Sequence, residues 1–588
     1  MSGAGFAVAD HTECEVGHGT GGAWRQGITG GCLACLGILQ AWSVALPWSG
    51  QNSWWLQVLS LAGLFVLLTP SDAQVDDQRR AWRWRGFAMG WWFGCCWLLG
   101  SFWWLYVSMH AYGGLPSWLA GLAVVLLAFA VAVFYGLAAA LYREWASAWG
   151  AAGRIMGFAA FWTLAELCRA EWFTGFPWGA SGYAHLTGPL KGMVPWIGVY
   201  GVGWAAALWA AGIGCTVRWG LLRHTTLRRS GVRKREGAVV HMLLAWMLVP
   251  LFGGGAGLAW RGGAEVVGRP LRVTLLQGNV SQDQKFQQAS GILLSLQWYG
   301  QQLDLAKGDL VVTPETALPL LPQYLPQAYW QALNKRFATG QQAALIGMPV
   351  AVQGQGYANA VLGMAPGGAV SKGSGQALPL ELPPVPDQVY GYAKHHLVPF
   401  GEFVPWGFRW FVDMMHIPLG DFRRGALPQP GLAWHGERIQ PNVCYEDLFG
   451  EELAAAFVDG AQAPTLLVNL SNIAWFGDTI AIDQHRNISR MRALELDRPM
   501  VRATNTGATA IIAPDGTVIR ELPRLTRGVL EGEVRGRTGI TPYAWWVSRW
   551  GLMPLWVLAI LVCLACVWQT RCFSVRVPFG KSLEDRRR

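Results

Sequence analysis

Between residues 261 and 543 the chain has one cysteine, Cys444, although 11 occur in its 588 residues. That polar stretch therefore cannot close a disulfide within itself, and the thiol is either an inert core group or a reactive one. Charge is scarce as well. Lys, Arg, Asp and Glu make up 14% of the chain, where soluble domains run near about 25%. With 52% hydrophobic residues, 35 Trp and 74 Gly, this shortage excludes an ordinary soluble protein and points to a membrane protein, in which Trp favours the interfaces and Gly is enriched in spans. Residues 1–24 contain no Lys or Arg, which argues against reading the first apolar run as a secretory signal peptide. No internal repeat is present, and His395 and His396 have no partner at metal-ligand spacing. The formal charge of +10 would suit nucleic acid, but the basic residues cluster beside apolar runs, where anionic lipid would meet them.

Apolar runs of helix-spanning length lie near 31–48, 52–69, 86–108, 115–141, 152–172, 192–216, 238–258 and 544–568. Eight crossings put both termini on one side. The connection 71–85 holds Arg79, Arg80, Arg83 and Arg85, the connection 217–236 is richer still, and the chain ends in Arg586, Arg587 and Arg588. The opposite turns at 47–52 and 109–115 hold no Lys or Arg. Positive-inside bias then places both termini in the cytoplasm and 261–543 outside it. The expected organisation is a disordered tail (1–30), a seven-span region (31–260), a periplasmic domain (261–543), a last span (544–568) and a basic tail (569–588). Within the spans Glu166 is the costly residue. Its neighbour Arg169 leaves a structural pair and a functional carboxylate equally open.

From 270 to 535 short apolar runs alternate with amphipathic stretches. The spacing predicts strands at 271–277, 309–313, 344–347, 360–364, 439–443, 465–469, 500–503, 508–513 and 529–534, and helices at 284–306, 325–337, 446–458 and 479–497. Such alternation predicts an α/β domain with a mixed sheet, and about 270 residues bury a full core without disulfides. The stretch 365–390 reads as a long surface loop.

Three features stand at element ends, where α/β folds put their ligands. One is the strand stop Val312-Thr313-Pro314-Glu315; the second is the proline-braced run 392–405 with Lys394 and Glu402; the third is the turn at Cys444. A free thiol is mostly protonated at neutral pH and the thiolate is the nucleophile. Glu315 could take its proton, and Lys394 could favour the thiolate and then donate to a tetrahedral oxyanion. The backbone N–H of Tyr445 is a candidate second donor. His395 and His396 offer a rival Cys–His pairing, and a core cysteine remains the bland alternative.

The runs TPETALPL (313–320), YAKHHLVPFGEFVP (392–405), NVCYED (442–447), NLSNIAWFGDT (469–479) and RALELDRPMVRATNTG (492–507) resemble those of carbon–nitrogen hydrolases, the nitrilase superfamily. With its apolar helices, the chain over roughly 30–570 resembles the apolipoprotein N-acyltransferase family, the integral-membrane branch of that superfamily. The resemblance implies a nitrilase-like αββα sandwich on an eight-helix transmembrane bundle. It implies Glu315 as general base, Lys394 as oxyanion lysine and Cys444 as nucleophile, with Glu402, Tyr445 and Glu446 in support and Trp475 and Phe476 bordering the lipid entrance. The implied reaction transfers the sn-1 acyl chain of a phospholipid, through a Cys thioester, to the α-amine of an S-diacylglyceryl-cysteine apolipoprotein, in the bacterial inner membrane. No cofactor, metal or nucleic acid is expected, and the protein is expected to be a monomer. Trp406 and Phe411 are further candidates to cradle acyl chains or to serve as plain interfacial aromatics. A soluble-type amidase tethered to the membrane and a transporter with an accessory domain are the rival classes. Loops 365–390 and 401–430 are candidates for a gate.

Overall fold

The computed structural model describes residues 20–69, 79–146, 149–227, 248, 252–255, 257, 265–282, 291–354, 356–366, 380–381, 389–409 and 422–575. The N-terminal half is helical: α1 (Thr20–Val44), α2 (Trp54–Leu68), α3 (Arg79–Phe102), α4 (Ser117–Trp145), α5 (Ala151–Glu171) and α6 (Val194–Leu227). The first helix thus begins inside the stretch expected to be a tail.

These helices correct the expected eight-helix bundle. Among the described residues three stretches are long and apolar enough to cross a membrane: Gly27–Val44 within α1, Ser117–Trp145 and Lys191–Arg218. A fourth is formed if α11 (Pro542–Trp550) and the first part of α12 (Met553–Val575) count as one crossing despite an 86° bend. The other runs fall short for physical reasons. Helix α2 has 15 residues, under the roughly 20 that hydrocarbon requires. Helix α3 opens on Arg79, Arg80, Arg83 and Arg85, and α5 carries Arg154, Glu166, Arg169 and Glu171. Most of the run 238–258 lies outside the described residues.

The polar half folds into two six-stranded sheets. The first has strands β1 (Leu271–Gln277), β2 (Leu310–Val312), β3 (Ala343–Val352), β4 (Gly356–Met364), β5 (Val389–Ala393) and β12 (Gly528–Val534), in the order β12-β1-β2-β3-β4-β5. The second has β6 (Leu432–Trp434), β7 (Glu437–Val443), β8 (Leu466–Ser471), β9 (Met500–Thr504), β10 (Ala510–Ile512) and β11 (Val518–Glu521), in the order β11-β10-β9-β8-β7-β6. Both sheets are mixed, with parallel pairs at β1-β2, β2-β3, β7-β8 and β8-β9.

Strand periodicity explains the layers, because successive side chains face opposite ways. Leu275, Val312, Leu345 and Val361 of the first sheet share a buried cluster with Ile439, Val443, Val468, Val501 and Ile511 of the second. Their chain neighbours Leu276, Val311, Ile346 and Leu362 face the other way, into a cluster with Leu296 and Tyr299 of α7 (Gly291–Leu305) and Leu333 of α8 (Gln327–Leu333). The outer face of the second sheet is covered by α9 (Gly450–Ala454) and α10 (Ala481–Leu496), whose Leu453, Met491 and Leu494 join one apolar cluster with Phe93, Phe161 and Tyr200 of the N-terminal helices. The result is an αββα sandwich whose second helical layer is also the seat on the membrane part.

Local breaks set that seat. Gly198 interrupts α6 at φ 64°, and a side chain there would press on the ring of Tyr543. The break frees the N–H of Val199, which donates to the Glu495 carboxylate of α10 at 2.6 Å.

Candidate active site

Three strand ends converge. Strand β2 stops at Thr313-Pro314, since proline has no N–H to continue a ladder, and Glu315 follows. A side chain at Gly347 on the neighbouring β3 would come within 2.2 Å of the Pro314 carbonyl, so glycine lets this turn sit flat on the sheet. Lys394 follows β5 directly, its N–H bonded to the Asn359 carbonyl at 2.8 Å. Cys444 follows β7 and opens a tight turn, Cys444–Leu448, with φ at 52°. This left-handed conformation is uncommon outside glycine and stores strain where it occurs.

The side chains meet among buried residues, Glu315, Lys394 and Glu402 among them. Lys394 Nζ lies 3.3 Å from Glu315 Oε1 and 2.9 Å from the Glu402 carboxylate. Asn359 Nδ2 donates to both carboxylates at 2.7 Å, and the backbone N–H of Asn472 donates to Glu315 Oε2 at 2.9 Å. Glu402 also accepts from the Val398 N–H at 2.8 Å. Lys394 is 1% exposed, so its charge persists only because two carboxylates face it. Burial alone would push it down, but Glu315, then Glu402, hold it above the ordinary lysine range. Burial, then Glu315, push the Cys444 thiol up to about 12, against the pull of Lys394 and of hydrogen bonds from Ser471 and the Asn472 N–H. Ser471 Oγ sits 3.3 Å from the sulfur. The thiol is therefore protonated at neutral pH and needs a base to react.

Glu446 ties the segments together. It accepts from the N–H of Val443 (2.6 Å), of His395 (2.6 Å) and of His396 (3.3 Å), and from the Tyr392 hydroxyl (3.0 Å). Tyr445 donates its hydroxyl to the Gly175 carbonyl in the loop after α5, at 3.2 Å. Phe476 packs on Trp104 with ring centroids 4.3 Å apart, while Trp475 is 38% exposed beside Tyr112.

Other candidates lie elsewhere. His395 Nδ1 bonds the Gly425 carbonyl, and the two ring nitrogens of His396 face Glu452 and the Thr174 carbonyl, so neither ring is paired with the thiol. Glu166 is fully engaged, accepting from Tyr135, Arg169 and both the N–H and hydroxyl of Ser181. With Arg169 at 3.1 Å it forms the structural pair that the sequence left as one of two readings. Trp406 is 98% exposed, and Phe411 lies outside the described residues, as do most of 365–390 and 410–421. Sequence reasoning passed over Asn359, Ser471 and Asn472. Asn359 left a signal as an amide inside the apolar run of β4, and Ser471 and Asn472 lie within the run 469–479 that carries the resemblance without being singled out in it. Among the described residues no group of three or more His, Cys, Asp or Glu is placed to hold a metal.

Comparison with known proteins adds the family context. The family model for the apolipoprotein N-acyltransferase N-terminal domain matches residues 37–212, and that for carbon–nitrogen hydrolase matches residues 272–543. The apolipoprotein N-acyltransferase of Verminephrobacter eiseniae is 49% identical over 88% of this chain and 92% of its own. That of Ralstonia nicotianae is 43% identical over 92% and 93%, and that of Bordetella bronchiseptica 38% identical over 94% and 98%.

Proposed function

Because the chain belongs to the apolipoprotein N-acyltransferase family, a family of multi-pass inner-membrane acyltransferases, we propose that it carries an acyl chain on Cys444 from a phospholipid to an apolipoprotein. The observation that carries this reading is the half-buried Cys444 thiol set within the field of the buried Lys394–Glu315 ion pair. Glu315 takes the thiol proton, and the Cys444 thiolate attacks the sn-1 ester carbonyl. Lys394 and the Tyr445 N–H meet the oxyanion. The tetrahedral adduct collapses, the lysophospholipid oxygen leaves with the proton from Glu315, and a thioester remains. The α-amine of S-diacylglyceryl-cysteine then attacks the thioester. Glu315 takes the amine proton as the amide forms and the sulfur leaves, and returns it to Cys444.

Glu402 and Asn359 orient the Lys394–Glu315 pair, and Glu446 holds the loops of Lys394 and Cys444 in register. Phe476 and the exposed edge of Trp475 border the lipid entrance. A seat on the membrane suits these substrates, since drawing an acyl chain into water costs about 0.8 kcal/mol per CH2. The basic connections 71–85 and 217–236 and the tail 569–588 support a cytoplasmic side for those segments and a periplasmic one for 261–543.

Incubating purified protein with sn-1-labelled phospholipid and a synthetic S-diacylglyceryl-cysteinyl peptide tests the scheme. The expected product is a labelled, hydroxylamine-stable amide on the peptide with an equivalent of lysophospholipid. Labelled free fatty acid without peptide product would favour a hydrolase, and label retained in the lysophospholipid would overturn the sn-1 assignment.

A further inference from the structure

The nucleophile's own peptide group is held by a buried polar chain that the scheme above leaves unused. The Cys444 carbonyl faces His485 Nε2 at 3.2 Å and Asn469 Nδ2 at 3.5 Å. The other ring nitrogen, Nδ1, lies 2.7 Å from Arg502 Nη2. A guanidinium only donates, so Nδ1 is an acceptor and the ring proton sits on Nε2, pointing at the Cys444 carbonyl. Burial, then Arg502, push His485 well below the ordinary histidine range, which keeps the ring neutral in this tautomer. Arg502 is fixed in turn by the carbonyls of His485 and Ala508, by Ser489 and by the Asp447 carboxylate at 3.6 Å. Asp447 belongs to the same turn as Cys444, so the chain closes on itself. On its other side the His485 ring stacks on Trp178 of the membrane half, centroids 5.6 Å apart at 19°.

A trans peptide points its C=O and N–H to opposite sides. With the Cys444 carbonyl drawn toward His485, the Tyr445 N–H is turned the other way. Tyr445 is the second residue of the turn, ahead of its first i→i−3 bond, so the turn does not use that N–H.

We propose that His485 is a positioning residue that sets the Cys444–Tyr445 peptide plane and so makes the Tyr445 N–H an oxyanion donor beside Lys394. The proposal rests on the acyl-transfer reading. It separates two reactions of the same sulfur. Acylation by a phospholipid passes through a tetrahedral oxyanion, whereas alkylation by iodoacetamide is a displacement at a saturated carbon and forms none.

Both rates are measured on the full-length protein in detergent, on His485→Ala and on His485→Gln, whose amide can accept from Arg502 and donate to the carbonyl. In His485→Ala, acylation is expected to fall about 100-fold, the loss typical of one oxyanion donor, with KM for phospholipid unchanged and alkylation within about twofold. His485→Gln is expected to recover most of the acylation rate. Equal losses in the two reactions, no loss in either, or a Gln variant as slow as Ala would overturn the proposal. Absence of acylation in the unmutated protein, with alkylation intact, would remove the transfer reading itself and the proposal with it.

Discussion

Glu446 is surrounded by donors: three backbone N–H groups and a tyrosine hydroxyl point at it. Only the carboxylate satisfies them all. Burial pushes its pKa from 4.5 up to about 7, against the hydrogen bonds from Val443 and His395 and the charge of Lys394. Since the folded value is the higher one, its contribution to folding is full below about pH 4.5 and is lost as the pH rises through about 7. Activity runs the other way, because protonation removes the acceptor that keeps the Lys394 and Cys444 loops in register. The acylation rate is therefore expected to show an acid limb near pH 7, replaced in Glu446→Gln by a low, flat profile between pH 5.5 and 8.5. A limb that persists in that variant belongs to another group. Lys394 carries a different liability. Its replacement by Met leaves Glu315 and Glu402 buried without their cation, a change expected to cost about 3–5 kcal/mol. Thermal unfolding should show the loss, and adding Glu402→Gln should restore part of it. Unlike His485→Ala, Lys394→Met should also slow alkylation of Cys444, because the ammonium favours the thiolate. Glu315 and Cys444 were legible in sequence because each stands where an apolar run ends, and Lys394 because it sits with a second glutamate in the proline-braced run 392–405; Asn359 was not singled out, because a buried amide inside a strand looks like a packing detail until its two carboxylates are in view.

At the scale of elements, what the sequence shows is what periodicity can carry. The runs at 271–277, 439–443, 500–503 and 529–534 lie within β1, β7, β9 and β12, and 479–497 contains α10, because each holds an apolar face long enough to count. Strands β5, β6 and β11 went unread: β6 has three residues, β11 is an exposed edge, and β5 mixes Tyr and Gly. The number of membrane crossings was misjudged for the converse reason. Apolar run length ignores where charges fall once the run is wound into a helix, and α5 buries Arg169 and Glu166 against each other instead of against lipid. Helix α10 shows how the halves are joined. The Gln484 amide accepts from the indoles of Trp178 (2.7 Å) and Trp104 (3.0 Å) and donates to the Ser101 carbonyl (3.0 Å). Gln484→Leu strands the buried Trp178 indole N–H, worth about 1–3 kcal/mol when unpaired, and leaves the Trp104 indole and the Ser101 carbonyl only the 2.9 Å bond they make to each other. A fall in melting temperature of the detergent-solubilised protein is expected, and an unchanged melting curve would show that the junction does not depend on this amide.

For the whole molecule, the decisive feature is that the sandwich and the N-terminal helical half share one apolar cluster, in which Tyr445, Phe449 and Met491 lie with Phe102, Trp178 and Tyr200. The domain is therefore not a soluble enzyme on a tether. A fragment spanning 265–543 is expected to expose that face and to aggregate or bind vesicles in sedimentation, and a monodisperse soluble fragment would contradict the shared core. In the proposed reaction, holding the site against the membrane is what would let Cys444 serve two lipid-anchored substrates in turn. The most direct test is to incubate purified protein with a phospholipid of defined acyl chain and no acceptor, digest it, and map the added mass by tandem mass spectrometry. The expected result is one acyl group on the peptide containing Cys444, removed by neutral hydroxylamine and absent in Cys444→Ala. Acyl label that persists in Cys444→Ala, or lysophospholipid released with no acyl group on Cys444, would contradict the proposed acyl-carrier role.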